Sequence, residues 1–425
     1  MLVDGIPQPE ADSFMNSHSF GRDYVDPLTL SYIEVHKGVS PVSMPAGGIA
    51  GAVNLRTLSP SDLLLDGKTL AGRALLGWRS ESQGLTAGAV LAGKASDQLQ
   101  WLFALNGDWS DETETMGRVG GTGLKRTRAN PEDIRRNSVL AKLFYQPNAD
   151  QSHMLTVERR SQSTYVNNLH DFANGTTKSH TDDNESTRNR VSLKSDFRLN
   201  AAAADLLTGY LAWQDSSSTQ KLDVDTTTQG LRVRDHSYDE RMLQAGLQAR
   251  KQLGRHALHY GLDMNRLDNE THSLSTDRGV TTAVPKGPDT TTTRWGAFVQ
   301  DSIELGRFTL KPGLRYESVD VDADAGSISM GASGATAVSK RFDAWLPQLG
   351  GQVRMGGGVQ LFANYARGFR APTAGELNNF FGNITPFYGY YILPNPNLKA
   401  ETSNNFDLGI RDAEGAFQWE AAAFY

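Results

Sequence analysis

The stretch Arg241–Arg266, RMLQAGLQARKQLGRHALHYGLDMNR, decides the fold. Leu243, Ala245, Leu247 and Ala249 alternate with Gln244, Gly246, Gln248 and Arg250. After KQLG (Lys251–Gly254), Leu258, Tyr260, Leu262 and Met264 alternate with His259, Gly261, Asp263 and Asn265. A period of two is the signature of a strand, and two such runs around a tight turn form an antiparallel hairpin. The same alternation appears at Val191–Leu199 (Val191, Leu193, Phe197 and Leu199 against Ser192, Lys194, Asp196 and Arg198), at Phe308–Glu317 and at Phe417–Tyr425. One face is apolar and aromatic and the other is charged. In a soluble sandwich the charged face meets water outside. In a wide membrane barrel it faces a wet lumen and the apolar face meets lipid.

The connections favour the barrel. The pattern predicts about 15 strands, near 68–78, 84–94, 98–109, 136–145, 152–160, 188–197, 205–215, 238–250, 255–265, 293–304, 307–318, 341–353, 357–367, 402–411 and 416–425, with ends uncertain by about two to four residues. Short connections such as ASD (Ala95–Asp97), KQLG, LG (Leu305–Gly306) and DAEG (Asp412–Gly415) alternate with long ones near 110–135, 161–187, 216–237, 266–292, 319–340 and 368–401. Connections of that length are uncommon in compact soluble domains. Placed at one end of an up-and-down sheet, they match the short periplasmic turns and long outer loops of an outer-membrane barrel.

Composition agrees. The chain has 425 residues, 42 Lys+Arg against 48 Asp+Glu, a net charge of −6 and no Cys. Without Cys there is no disulfide scaffold, thiolate metal site or cysteine nucleophile. The mild negative charge argues against a nucleic-acid binder, which would carry a basic stripe. Mean hydropathy is −0.45, and no apolar run reaches the roughly 18 residues a membrane-spanning helix needs. That leaves transmembrane strands untouched, since their hydropathy signal is weak. Residues 1–66 read differently: LSYIEVHKG (Leu30–Gly38) is a strand, and PAGGIAGAVNLRT (Pro45–Thr57) is a glycine-rich turn entering another.

VDGIPQ (Val3–Gln8), LSYIEVHKGVSPVSMPAGGIAGAVNLRT (Leu30–Thr57) and a barrel after them resemble a TonB-dependent outer-membrane receptor. The resemblance implies an all-β transmembrane barrel with part of an N-terminal α+β plug domain: residues 1–66 the C-terminal part of the plug, residues 67–425 an incomplete barrel. The barrels of such transporters have about 22 strands. About 15 would be present here, and the first and last would be open edges. The first half of the plug, the segment that contacts TonB and the last strands would lie outside this sequence. The implied activity is transport rather than catalysis, with the TonB energy-coupling complex and outer-membrane lipid as partners.

Two further stretches sharpen the resemblance. GFRAPTAGEL (Gly368–Leu377) and PNPNLKAET (Pro394–Thr402) resemble the FRAP and NPNL boxes of receptors for haem and haem-carrying proteins, and RTLSPSDLL (Arg56–Leu65) resembles their plug–barrel junction. Ferric-siderophore receptors share softer forms of these boxes and are the alternative. The haem resemblance implies an iron ligand from the loop between the boxes, usually His. Here NNFFGNITPFYGYYIL (Asn378–Leu393) holds no His but carries Tyr388, Tyr390 and Tyr391. Tyrosinate is a known axial ligand of haem iron, so these three are the candidate ligands from above. The plug is expected to supply the opposing ligand, for which His18 in FMNSHSFGRD is the candidate. Packing of the loop, or an interfacial aromatic belt, is the competing role for the tyrosines. His36 is expected to be structural. His170, His180, His236 and His272 are expected in long loops, and His259 is expected to face the lumen.

No enzyme constellation emerges. GRVGGTG (Gly117–Gly123) lies between strands with no helix after it, which a phosphate cradle would need.

Overall fold

The computed structural model describes residues 1–9, 25–44, 49, 51–172, 175–330, 333–384, 389–412, 414 and 417–425, with the side chains of 383 and 384 left aside. At the N-terminus, β1 (Leu2–Val3), β2 (Ile6–Pro7), β3 (Leu30–Lys37) and β4 (Gly51–Thr57) form a mixed sheet in the order β2-β1-β4-β3, with β1 and β4 parallel. The β1–β2 connection is Asp4-Gly5, with φ of 53° and 81°. Two left-handed residues in a row make the two-residue turn whose twist suits a hairpin, and Asp-Gly tolerates it best.

A single large antiparallel sheet follows: β5 (Leu70–Arg79), β6 (Gly84–Lys94), β7 (Leu99–Asp111), β8 (Glu132–Asn148), β9 (Gln151–Asn167), β10 (Thr177–Arg198), β11 (Leu206–Thr226), β12 (Gly230–Leu253), β13 (His256–Asp277), β14 (Val280–Ala283), β15 (Thr290–Leu305), β16 (Phe308–Ala323), β17 (Lys340–Gly356) and β18 (Val359–Arg370). The last long connection then holds α1 (Ala374–Asn378) and a hairpin of β19 (Phe381–Ile384) and β20 (Gly389–Ile392), before β21 (Glu401–Asp412) and β22 (Trp419–Phe424) complete the sheet. Apart from β14, which pairs only with β13, and the β19–β20 hairpin, which forms a sheet of its own so that β18 pairs with β21, each strand of the large sheet pairs with the next in an unbroken meander. β5 and β22 are the two edges and do not pair with each other.

The sheet is inside-out relative to a soluble protein. Leu211, Trp213, Leu243, Leu247, Leu262 and Met264 are all more than 40% exposed on the outer face. On the opposite face Lys142, Glu158, Arg160, Arg188, Arg190, Arg315 and Glu317 are all at least 95% buried. Only a surface bathed in lipid and an interior filled with polar groups reconcile these two facts.

The N-terminal sheet fills part of that interior. Ile6 packs against Ala212 and Met242, and Leu58 packs against Val90, Leu102 and Leu140. Gln348 donates to the Ser40 carbonyl at 2.8 Å, and Ser403 donates to that of Ile49 at 3.3 Å. Its contacts therefore run along the inner wall from β6 to β21.

The strands run far beyond the expected stretches. β12 has 24 residues and β10 has 22, where crossing a membrane takes about 9–11. Much of what the alternation assigns to long connections is therefore strand. Between β11 and β12 only residues 227–229 remain outside strands, and His180, His236 and His272 lie in β10, β12 and β13. The extensions are rich in Ser, Thr, Asp and Asn on both faces. Above the lipid no apolar outer face is required, so the pairing continues after the alternation has ended.

Candidate ligand-binding site

The two boxes resembling FRAP and NPNL meet in space as the base of the last long connection. Thr373 caps α1: its hydroxyl accepts from the Glu376 amide at 3.2 Å, while the Glu376 carboxylate accepts from the Thr373 amide at 2.8 Å. This reciprocal pair satisfies two donors that a helix start leaves open. Arg370 bridges Glu376 at 2.5 Å and Glu401 at 2.8 Å, tying the first box to the start of β21. Phe369, Ala371 and Leu377 are buried with Val319, Val321, Val338, Phe342 and Leu346. Asn378, 2% exposed, accepts from the Val338 amide at 2.7 Å and donates to the Val338 carbonyl at 3.0 Å. The Lys340 ammonium donates to the carbonyls of Pro396 and Leu398 at 2.7 and 2.8 Å, pinning the second box. The boxes thus build a rigid foot for the segment between them.

That segment is the β19–β20 hairpin, in which Asn383 pairs with Tyr390 and Gly382 with Tyr391. Consecutive strand residues point to opposite faces. Tyr391 accordingly stacks on Phe380 (centroids 6.2 Å apart, planes at 29°), and Tyr390 leans on Phe381 (6.0 Å, 54°). Gly382 is required here, because a Cβ would meet the Tyr391 ring at 2.9 Å. Both tyrosines are exposed, at 47% and 39%. Among the described residues no hydrogen bond engages either hydroxyl. The ammonium of Lys286 lies 4.7 Å from the Phe381 ring centroid, within cation–π range. The Phe380 amide donates to the Lys286 carbonyl at 2.9 Å. Sequence reading passed over Lys286, because it becomes a neighbour of the hairpin only through this long-range contact.

Tyr388 and His18 lie outside the described residues, so of the four candidate iron ligands only Tyr390 and Tyr391 are placed. His36 lies 3.0 Å from Glu34 on β3. His259 turns inward, 3.2 Å from the Gln248 side chain and edge-on to the buried Phe298. Gly117–Gly123 stays a loop between β7 and β8. Among the described residues no three His, Asp or Glu side chains converge in a way that would hold a metal ion.

Below this region, charge locks the N-terminal sheet to the wall. Glu158 contacts Arg160 at 2.5 Å, Arg190 at 2.6 Å and Arg188 at 3.4 Å. Arg190 also donates to the Val3 carbonyl at 3.0 Å, and Arg188 bonds to Gln8. Asp4, at the β1–β2 turn, lies 3.6 Å from both Lys142 and Arg190 and accepts from the Thr57 amide at 2.9 Å. Burial pushes the Asp4 carboxyl up, but Lys142, Arg190 and the two Thr57 hydrogen bonds outweigh it and hold it below the usual carboxylate range.

An inside-out antiparallel sheet wrapped on a small N-terminal sheet defines an outer-membrane receptor barrel. Residues 108–425 match the family model of the TonB-dependent receptor-like β-barrel, and the chain belongs to that family. Its place is the bacterial outer membrane, and the family is one of receptors rather than enzymes. The chain is similar to a hemin receptor of Yersinia enterocolitica, 26% identical over 452 residues, covering 100% of this chain and 58% of the receptor. It is similar to the ferric enterobactin receptor PirA of Pseudomonas aeruginosa at 26% identity over 447 residues, covering 96% of this chain and 57% of that one. Among solved structures, the copper transporter OprC superposes with a TM-score of 0.77 at 15% identity, covering all of this chain and 63% of its own. The chain therefore spans less than two thirds of each of these relatives.

Proposed function

We propose that this chain forms the ligand-binding part of a TonB-dependent outer-membrane transporter whose cargo is haem, free or delivered by a haem-carrier protein. Residues 1–66 act as the lumenal plug and residues 67–425 as the wall. The observation that carries the reading is the aromatic hairpin on its rigid foot. It presents Tyr390 and Tyr391 with hydroxyls unengaged among the described residues, together with the half-buried Phe381 as apolar surface for a porphyrin, while the buried Phe380 supports the Tyr391 ring from beneath. A tyrosinate from the hairpin (Tyr388, Tyr390 or Tyr391) would bind ferric haem from above. His18 would bind it from the plug side. The similarity to a hemin receptor supports the same cargo. Energy would come through the TonB complex acting on the plug.

The second reading, a ferric siderophore, is favoured by Lys286, a cation beside the hairpin, and by the equal identity to a ferric enterobactin receptor. The two separate in one experiment. Hemin is titrated into the receptor and into its Tyr388→Phe, Tyr390→Phe, Tyr391→Phe and His18→Ala variants, followed by absorption spectroscopy. A tyrosinate–iron charge-transfer band that disappears in one Tyr variant supports haem. Spectra unchanged in all four variants, together with tight binding of a ferric siderophore, would remove it.

A further inference from the structure

A row of inward-facing polar side chains crosses three adjacent strands above the lipid. Gln220 on β11 is paired with His236 on β12, and His236 with Ser273 on β13. All three are more than 90% buried. Directly opposed residues in an antiparallel sheet lie about 4.5–5.5 Å apart, so the row spans about 10 Å of wall. The outward neighbours Lys221, Asp235 and His272 are exposed. A lysine and an aspartate on the outer face place this level outside the hydrocarbon, on the side of the long connections.

The row lacks internal partners. The Gln220 amide nitrogen and the Ser273 hydroxyl are buried with no hydrogen bond. Neither ring nitrogen of His236 is hydrogen-bonded among the described residues. Buried polar groups in folded proteins are nearly always satisfied, so a run of unsatisfied ones calls for an explanation. Every member can donate: an amide N–H, a hydroxyl and an imidazole N–H.

Cations flank the row. Arg234 lies two residues along β12 on the same face, and Arg234 and Lys286 both act electrostatically on His236. Lys286 arrives by the backbone: the Val284 amide donates to the Ser273 carbonyl at 2.8 Å, and Lys286 follows two residues later. Its ammonium then meets the Phe381 ring of the hairpin. Negative charge also faces this side: Glu240, four residues down β12 and 3.4 Å from the Asn269 amide nitrogen; Asp182, buried on β10 opposite Leu222; and Asp277 on β13, which is ion-paired with Arg232 and also acts on Arg234. Three donors and two cations next to an aromatic surface suit an anion carried on a larger, flat or aromatic ligand.

We propose that Gln220, His236 and Ser273, with Arg234 and Lys286, bind the anionic group of the iron chelate this receptor takes up: the carboxylate of a haem propionate or the catecholate oxygen of a ferric siderophore. The inference deepens the function proposed above. It rests on that reading for the uptake of an iron chelate, but not for the choice between the two ligands.

The test uses the receptor in outer-membrane vesicles, titrated with hemin, with hemin dimethyl ester and with a ferric tris-catecholate. Wild type is compared with Lys286→Met, His236→Leu and Ser273→Ala. Loss of a charge-assisted hydrogen bond should weaken binding about tenfold or more. If haem is the ligand, the variants weaken hemin and leave the ester unchanged, and the ester controls for folding in each variant. If the variants weaken only the tris-catecholate, the site stands and the haem reading falls. If they leave all three ligands unchanged, or weaken hemin and its ester equally, the site falls and the haem reading survives on wild-type hemin binding.

Discussion

The two levels of the β12–β13 hairpin are continuous in backbone and opposite in chemistry. At the lower level Leu243 and Leu247 on β12 and Leu262 and Met264 on β13 face outward and exposed, while Gln244 and Asp263 turn in. At the upper level the same outward register carries Asp235 and His272, and the inward one carries His236 and Ser273. The hydrogen-bond ladder does not distinguish them: the register is unbroken from Leu253↔His256 to Arg232↔Asp277. Strand pairing is therefore a property of the backbone, and alternation is a property of the solvent on the outer face. Lipid demands apolar side chains outside and leaves the charge to the lumen. Above the lipid, water on the outer face removes the demand.

The largest expected effect comes from the lower interior, where lipid has forced the charge inward. Glu158 makes ion pairs with Arg160, Arg188 and Arg190, and all four side chains are at least 98% buried. Removing one member of a buried network leaves charge uncompensated, at about 3–5 kcal/mol. Glu158→Ala should therefore lower unfolding stability by that order, measured by urea titration with heat-modifiable gel mobility. A loss under 1 kcal/mol would mean that water reaches the cluster and the lumen is wetter at this level than described.

The outer face gives a paired test of the two levels. Leu247→Arg places a guanidinium against lipid and should cost about 2–4 kcal/mol, whereas Leu274→Arg, one level up, should cost about 0–1. Both leucines are similarly exposed, at 49% and 44%, so burial alone predicts equal effects. Equal losses in the two unfolding titrations would abolish the division into levels.

This division also explains what was legible in the sequence. The 15 meander strands were readable where lipid imposes alternation, as in Leu243–Ala249 and Leu258–Met264. Ser216–Thr226 was not, because Ser, Thr, Gln, Lys and Asp occupy both faces and composition alone resembles a loop. The boxes at Gly368–Leu377 and Pro394–Thr402 were recognisable as motifs, but their physical role was not. Phe369 and Leu377 become core only when β16 and β17 supply Val319, Val321 and Phe342, contacts no local window contains. Gln220, His236 and Ser273 carry no spacing signal at all. Their meeting is fixed by the registers of two hairpins, and a one-residue slip in either would turn members of the row to the opposite face.

A smaller effect is expected at the foot of the aromatic hairpin. Asn378→Ala removes both bonds to Val338 and leaves a buried amide and carbonyl unmet, at about 1–3 kcal/mol. The foot should loosen locally without opening the sheet. Amide hydrogen exchange should accelerate at Phe380 and Val338, and strand amides such as those of Leu247 should keep their protection. Uniform acceleration would show that the foot and the membrane level unfold as one unit.

The smallest effect is a pH dependence confined to the upper level. Burial raises the Glu376 carboxyl, but the Thr373 amide, Arg370 and the Thr373 hydroxyl together hold it below its ordinary value. A carboxylate with a folded pKa below its unfolded one contributes stability that is fully present above the unfolded pKa. That contribution fades as pH falls from the ordinary Glu value of about 4.3 through the lower folded value. Protonation leaves the capping box with a weaker acceptor and Arg370 with Glu401 alone. A lost cap interaction costs about 0.5–2 kcal/mol, and the exposure of Glu376, 43% at the side chain, places it at the low end. The exchange protection of the Thr373 and Leu377 amides should therefore fall on acidification below pH 4 and stay constant from pH 5 to 8. In Glu376→Gln it should be lower throughout the upper range and should lose this acid-dependent step. A step of equal size in the variant would assign the acid sensitivity to another carboxylate, with Glu401, the other partner of Arg370, the next to substitute.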